Sequence, residues 1–162
     1  MTDDRYDQLK PPHLVSALRS FPRRYREVLA NVSRDLELLV KPVDGHTVLA
    51  LVADTSSTLE LIDRALERTL VQDDPELTAS VVVASARTWQ AREPSAIPTL
   101  LDELTAHATA LADRLDRAPT AGWLRVANVD GRRVRAVDLA REAVRMAAEN
   151  LRLLERIVAR LG

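Results

Sequence analysis

The sequence of 162 residues contains no cysteine, which excludes disulfides, zinc–thiolate sites, iron–sulfur clusters and cysteine nucleophiles. Glycine is scarce, with four residues, and aromatic residues make up 3% of the chain. Both shortages argue against an all-β fold, which needs turn glycines and β-forming residues at close intervals. No apolar run approaches the roughly 18 residues of a membrane span, and Met1–Lys10 is too acidic for a signal peptide. We therefore expect a cytoplasmic protein without a membrane partner.

An excess of one charge is also lacking. Lys and Arg together number 23 and Asp and Glu number 24, which gives a formal net charge of −1 and argues against a nucleic-acid partner. Lysine is limited to Lys10 and Lys41, and neither has the strongly apolar surroundings that Schiff-base chemistry requires. With 46% hydrophobic residues, the chain can fill one core, so we expect a single domain over residues 1–162.

Apolar residues recur at helical spacing in four long segments. These segments are His13–Ser33, Thr47–Val71, Ser95–Leu115 and Ala136–Arg160. Pro22 lies inside the first segment and predicts a kink or a split there. Residues 121–135 have no helical period and are interpreted as a loop, with residues 128–131 as its most turn-like part. The pattern predicts an all-α four-helix bundle with a long crossover between its second and third helices.

Short motifs precede the second and the last predicted helices. The first is Pro42–Val43–Asp44–Gly45–His46–Thr47, and the others are Gly122–Trp123–Leu124–Arg125 and Asp130–Gly131–Arg132–Arg133–Val134. In their order and spacing they resemble the DinB-like superfamily, the four-helix bundles that include mycothiol-dependent maleylpyruvate isomerase and related thiol-S-transferases. The resemblance covers nearly the whole chain. It implies a cavity between the helices in which a small-molecule ligand is bound or transformed.

The metal ligands implied by this resemblance are replaced. In metal-binding relatives, one histidine of the second helix and a pair spaced i, i+4 on the last helix hold a divalent ion. Carried over, these positions are Asp54, Arg145 and Glu149. The guanidinium of Arg145 has no lone pair to offer a metal. The three histidines lie on separate segments without metal-ligand spacing: His13, His46 and His107. We therefore predict neither a metal nor another cofactor.

The resemblance also implies that Asp54, Arg145 and Glu149 converge at one end of the cavity. Arg145 would then lie between the two carboxylates and supply the positive charge that the ion supplies in relatives. The alternative is a solvated ladder of charges on one flank of the last helix, in which Arg145 and Glu149 are followed by Arg152 and Arg156.

Further polar residues lie on or near the apolar stripes. His107 borders the stripe of the third helix and is a candidate acid–base group, or else a hydrogen-bonded core or interface residue. The candidate substrate contacts are Thr55, Thr58, Trp123 and Asn150. Each has a structural alternative: the threonines bond back to their own helix, Asn150 ties two helices together, and Trp123 packs against the bundle end.

Three functions follow from these observations. The first is a metal-independent protein that binds a small metabolite, or transforms it as an isomerase, cyclase or transferase through Asp54, His107, Arg145 and Glu149. The second is the metal- and thiol-dependent S-transferase or isomerase chemistry that the resemblance implies. The third is a non-catalytic interaction module that forms a homodimer. Metal content separates the first two, and a bundle without a cavity favours the third.

Overall fold

The computed structural model describes residues 5–32, 34–78 and 96–161. Its helices are α1 (Pro11–Leu29), the short α2 (Leu36–Leu39), α3 (Val48–Val71), α4 (Ile97–Arg117) and α5 (Ala136–Leu161). The four long helices form the predicted bundle, so the fold class is confirmed. Most of the predicted crossover, together with the proposed start of the third helix at Ser95, falls outside the described residues. No helix within the described ranges has the length and apolar character needed to cross a membrane.

In the bundle, α1 and α3 are diagonally opposite each other, and each of them packs against both α4 and α5. Ion pairs give the relative directions. Arg19 binds Asp113 at 2.9 Å, and Arg26 binds Asp102 at 2.7 Å. The later residue of α1 pairs with the earlier residue of α4, so these two helices are antiparallel.

The neighbours α3 and α4 run in the same direction. His107 lies 3.8 Å from Glu60, and Arg114 binds Asp63 at 2.7 Å. Later residues of α3 therefore pair with later residues of α4. The end of α3 and the start of α4 therefore lie at opposite ends of the bundle. A long connection between them is what this geometry requires, as the sequence pattern predicted.

The ends of the helices are set by local residues. Thr47 caps α3, since its Oγ1 accepts a hydrogen bond from the backbone N–H of Ala50 at 3.1 Å. Two prolines occupy the first turn of α1, where their missing N–H groups are not needed. Pro22 lies inside α1, and the helix nevertheless continues to Leu29. The predicted split does not occur, because Phe21 and Tyr25 on either side are buried in the core and hold both halves in place.

The segment predicted as a loop over residues 121–135 is structured, and that prediction was wrong. A 3₁₀ helix spans Thr120–Leu124, and the strands β2 (Val126–Val129) and β3 (Arg132–Arg135) pair antiparallel. A third strand, β1 (Glu76–Leu77), joins β2 in parallel. The hairpin turn uses Asp130 and Gly131, both with positive φ, at 48° and 83°. This is the Asp-Gly signature of a tight hairpin turn, which outweighs the weak strand character of the flanking residues.

Arg125 fastens this sheet to the end of α3. Its Nε donates to the carbonyl of Thr69 at 2.9 Å, and its Nη2 donates to the carbonyl of Gln72 at 2.6 Å. Carbonyls in the last turn of a helix have no partner within the helix, so the guanidinium satisfies groups that would otherwise depend on water. The 3₁₀ helix and the sheet are thereby attached to the end of the bundle where α3 ends.

We expect the substitution Arg125→Met to lower the free energy of unfolding by about 1–2 kcal/mol, because the hydrogen bonds to the carbonyls of Thr69 and Gln72 and the exposed ion pair with Asp73 are lost. Urea unfolding of the full chain measures this change. Arg132→Met is the matched control, since Arg132 is exposed on β3. Equal losses in the two variants would contradict the role of Arg125.

Candidate functional site

Asn150 of α5 is held against α3 by hydrogen bonds. Its side-chain Nδ2 donates to Asp54 Oδ2 at 3.1 Å and to Thr55 Oγ1 at 3.0 Å. A carboxylate only accepts hydrogen bonds, so Asp54 fixes which end of the amide faces α3. The Oδ1 of Asn150 is therefore directed away from Asp54. Asn150 thus ties two helices together, as the structural alternative predicted.

The hydrogen-bond chain continues from Asn150 into the core. Thr55 donates to the backbone carbonyl of Leu51 at 2.8 Å, and its Oγ1 lies 3.2 Å from the hydroxyl of Tyr25. Tyr25 is fully buried on α1 and donates to the carbonyl of Ala147 on α5 at 2.7 Å. Burial, with a further contribution from Asp54, raises the pKa of Tyr25 well above its usual value. The hydroxyl therefore remains a donor and joins α1, α3 and α5.

Arg145 does not bridge Asp54 and Glu149, and that prediction was wrong. Its Nε donates to Glu142 at 2.9 Å, with a second bond from Nη2, and its Nη1 donates to Glu149 at 2.8 Å. Within the described residues its ion pairs go to these two carboxylates and none goes to Asp54. The hydrogen bond to Glu142 raises the pKa of Arg145.

The reason lies in helix geometry. Residues three and four positions away on α5 reach the guanidinium without crossing a gap between helices. The alternative interpretation, a ladder of charges along the flank of α5, is the arrangement formed by Arg145 and Glu149, with Glu142 added. Its side chains are partly shielded, with 32% of Arg145 and 22% of Glu142 exposed.

An open groove of about 410 Å³ follows the same flank of α5. It is lined by Glu149, Asn150, Arg152, Leu153 and Arg156. Asn150 therefore contacts Asp54 on one side and lines the groove on the other. Arg152 also donates to the hydroxyl of the buried Tyr6 at 2.7 Å, which ties the segment before α1 to this flank. The groove and the bond between Asp54 and Asn150 form the candidate site.

His107 is not brought to this site. It lies on α4 and faces α3, with its Nε2 3.8 Å from an oxygen of Glu60. Asp54 and Glu60 are six residues apart on α3, so their side chains point about 120° apart around the helix axis. His13 and His46 are exposed elsewhere. The structure therefore separates the predicted acid–base histidine from the predicted carboxylates.

The other two predicted substrate contacts, Thr58 and Trp123, also make structural interactions. Thr58 is buried and donates to the carbonyl of Asp54 at 2.8 Å, the back-bond that was its alternative. Trp123 is buried next to Gly122, which lies against Leu70 near the end of α3. Sixteen helical residues separate positions 54 and 70, about 24 Å along the axis. Trp123 and Asp54 thus lie towards opposite ends of the bundle.

The described part of the chain contains no set of side chains suited to hold a metal ion. Across residues 5–32, 34–78 and 96–161, no three His, Asp or Glu side chains lie close enough to hold an ion. At the positions that the resemblance carried over, the permanently charged Arg145 binds Glu149, and Asp54 accepts the amide of Asn150. These residues do not fit a divalent cation.

Comparison with known proteins gives a structural match. No protein-family model matches the chain, and no curated protein matches it in sequence. The solved structure of YfiT from Bacillus subtilis, described as a probable metal-dependent hydrolase with an unusual four-helix bundle topology, superposes with a TM-score of 0.74. The alignment covers 100% of this chain and 90% of that chain at 13% identity. At this identity the likeness shows the fold alone.

Sequence reasoning missed several residues of the site. Apolar periodicity in the segment His13–Ser33 assigns Tyr25 to the core through its ring, although a buried tyrosine hydroxyl also needs a partner. Glu142 stands three positions before Arg145, a spacing that predicts their ion pair. No pattern along the chain indicates the bond between Tyr6 and Arg152, since the two residues are joined by tertiary packing.

We expect Asn150→Asp to destabilise the protein by about 2 kcal/mol at neutral pH, because it places a second carboxylate beside Asp54. Repulsion raises the pKa of the carboxyl pair in the folded state, so the folded chain binds more protons than the unfolded chain. Relative to the parent, the free energy of unfolding should therefore fall as the pH rises from about 4 to about 7.

Urea unfolding at several pH values measures this effect. Asn31→Asp is the control, since Asn31 is exposed after α1. A pH-independent difference between Asn150→Asp and the parent would show that Asp54 and residue 150 are not electrostatically coupled.

Proposed function

We propose that this protein binds a small metabolite where α3 meets α5, and that it does so without a resident metal ion. The observation that carries the proposal is the position of Asn150, fixed by Asp54 and Thr55 on one side and exposed to the groove on the other. Small-molecule sites combine a concave surface with a few fixed polar groups. An amide whose orientation is set by a neighbouring carboxylate is such a group.

Asp54 is the residue that we propose positions the Asn150 amide against the bound metabolite. Its carboxylate is half-buried and lies behind the Asn150 amide, which donates to it at 3.1 Å, and among the described residues the groove lining does not include Asp54. General acid–base catalysis requires a group within hydrogen-bond reach of the reacting atoms, so Asp54 acts on the ligand through Asn150 and not by direct proton transfer. His107 does not belong to this site, because it faces Glu60 between α3 and α4.

The metal- and thiol-dependent chemistry implied by the resemblance is the competing function, and the description of YfiT as a probable metal-dependent hydrolase points the same way. The donor chemistry of this chain argues against it. A cation at the carried-over positions would have to compete with Arg145 for Glu149 and would be repelled by the guanidinium.

Metal analysis tests this choice. We expect protein purified without chelators to contain far less than one equivalent of zinc, nickel or manganese, since no three neutral or anionic donors face one point among the described residues. Ligand binding should also be unchanged after EDTA treatment. A near-stoichiometric divalent ion, lost together with binding on chelation, would restore the metal-dependent function.

Binding itself is tested with Asp54→Ala. A thermal-shift screen of acidic and neutral metabolites identifies ligands, and calorimetry measures their affinity. We expect Asp54→Ala to weaken binding at least about tenfold, because the amide of Asn150 loses the carboxylate that orients it.

The matched control is Asp116→Ala, which removes an exposed carboxylate from α4. Circular dichroism checks that both variants are folded. Unchanged affinity in folded Asp54→Ala would falsify the placement of the site beside Asp54.

A further inference from the structure

We infer that the groove on α5 selects a small organic anion, a carboxylate or a phosphate compound, and that Arg152 and Arg156 bind its charged group. This inference rests on the proposed function and adds the chemical class of the ligand. Both arginines line the groove beside Asn150, four residues apart on the same flank of α5.

The charge balance along this flank distinguishes these two arginines from Arg145. Arg145 is held by Glu142 and Glu149. Arg152 donates to a neutral group, the hydroxyl of Tyr6. Within the described part of the chain, neither Arg152 nor Arg156 forms an ion pair with a carboxylate. Two guanidinium groups therefore line the groove without an ion-pair partner among the described residues.

Like charges spaced i, i+4 on a helix repel each other. An anion placed between Arg152 and Arg156 removes this repulsion and gains charge-assisted hydrogen bonds. The guanidinium fork has five N–H donors, and one contact to Tyr6 leaves donors of Arg152 for a ligand. Carboxylate and phosphate oxygens match the planar geometry of these donors.

The remaining groove residues define the rest of the ligand. Leu153 offers an apolar surface next to the arginines, and the Oδ1 of Asn150 accepts no hydrogen bond from the described part of the chain. Among the described residues that line the groove, Glu149 is the one carboxylate, and it pairs with Arg145 at 2.8 Å, which also pairs with Glu142. The groove therefore fits an acid with a short apolar body and an O–H or N–H group that donates to Asn150.

Titrations of the full chain test the inference with three probes: malate, its neutral diamide malamide, and inorganic phosphate. Binding is followed by NMR through the side-chain amide of Asn150 and the Nε–H signals of the arginines. We expect malate or phosphate to shift these signals, with affinity that falls as salt is added. Malamide should bind at least about tenfold more weakly than malate.

The double variant Arg152→Gln with Arg156→Gln should weaken anion binding at least about tenfold. The matched control is Arg117→Gln with Arg132→Gln, which removes the same charge from exposed sites on α4 and β3. The control should bind like the parent. Stronger binding of phosphate than of malate supports a phosphate compound as ligand, and the reverse order supports a carboxylate.

Other outcomes overturn the inference. If malamide binds as well as malate, or if both double variants lose affinity equally, the ligand is not selected by its charge at Arg152 and Arg156, although the proposed site beside Asn150 still stands. If neither malate nor phosphate shifts any of these signals, the groove is not an anion site. If the ligands found by thermal shift also leave Asn150 unperturbed, the proposed function fails with it.

Discussion

The hydrogen bond from Asn150 to Asp54 is the constraint on which the candidate site depends. A half-buried carboxylate is stabilised by hydrogen-bond donors, and the Asn150 amide supplies one of them from the neighbouring helix. The same amide bonds Thr55, which contacts the buried hydroxyl of Tyr25, so one chain of polar groups links α1, α3 and α5. Polar chains of this kind specify one packing arrangement, because a shift of any helix leaves a buried group unsatisfied.

The flank of α5 shows how interactions within one helix determine which charges remain for a ligand. Glu142 and Glu149 lie within reach of Arg145 on α5, so that ion-pair network forms without help from the rest of the bundle. Arg152 and Arg156 follow on the same flank without a carboxylate at comparable distance among the described residues. The core-facing side of α5 takes part in the hydrogen bonds that link α1, α3 and α5, and the adjacent side carries Arg152 and Arg156. Asn150 stands at the border between them.

The fold could be predicted from the sequence because it depends on apolar periodicity. Leu18, Phe21 and Tyr25 are buried, as helical spacing of apolar residues in the segment His13–Ser33 requires, and the last helix begins at the predicted residue, Ala136. The hairpin was missed because its strands are four residues long and strand character over so short a span is weak. The partner of Arg145 was misassigned because the resemblance placed three positions near one point, whereas the nearest carboxylates are set by spacing along one helix. Tyr25 was missed as a polar residue because periodicity counts its ring and ignores its hydroxyl.

YfiT shares this fold at 13% identity, so the same bundle forms from largely different residues. Apolar side chains can be exchanged for others of similar volume, so a core tolerates such divergence. Polar positions are different, because their chemistry depends on the identity of a few side chains, and a shared fold does not imply a shared reaction.

Arg145 illustrates this difference. Its charge cannot be removed near neutral pH, and it is satisfied by two carboxylates, so a divalent ion at this position would have to displace both ion pairs and approach a fixed positive charge. We propose that the activity of this chain depends on Asp54, Asn150 and the groove beside them, since a shared fold does not determine which reaction its residues support.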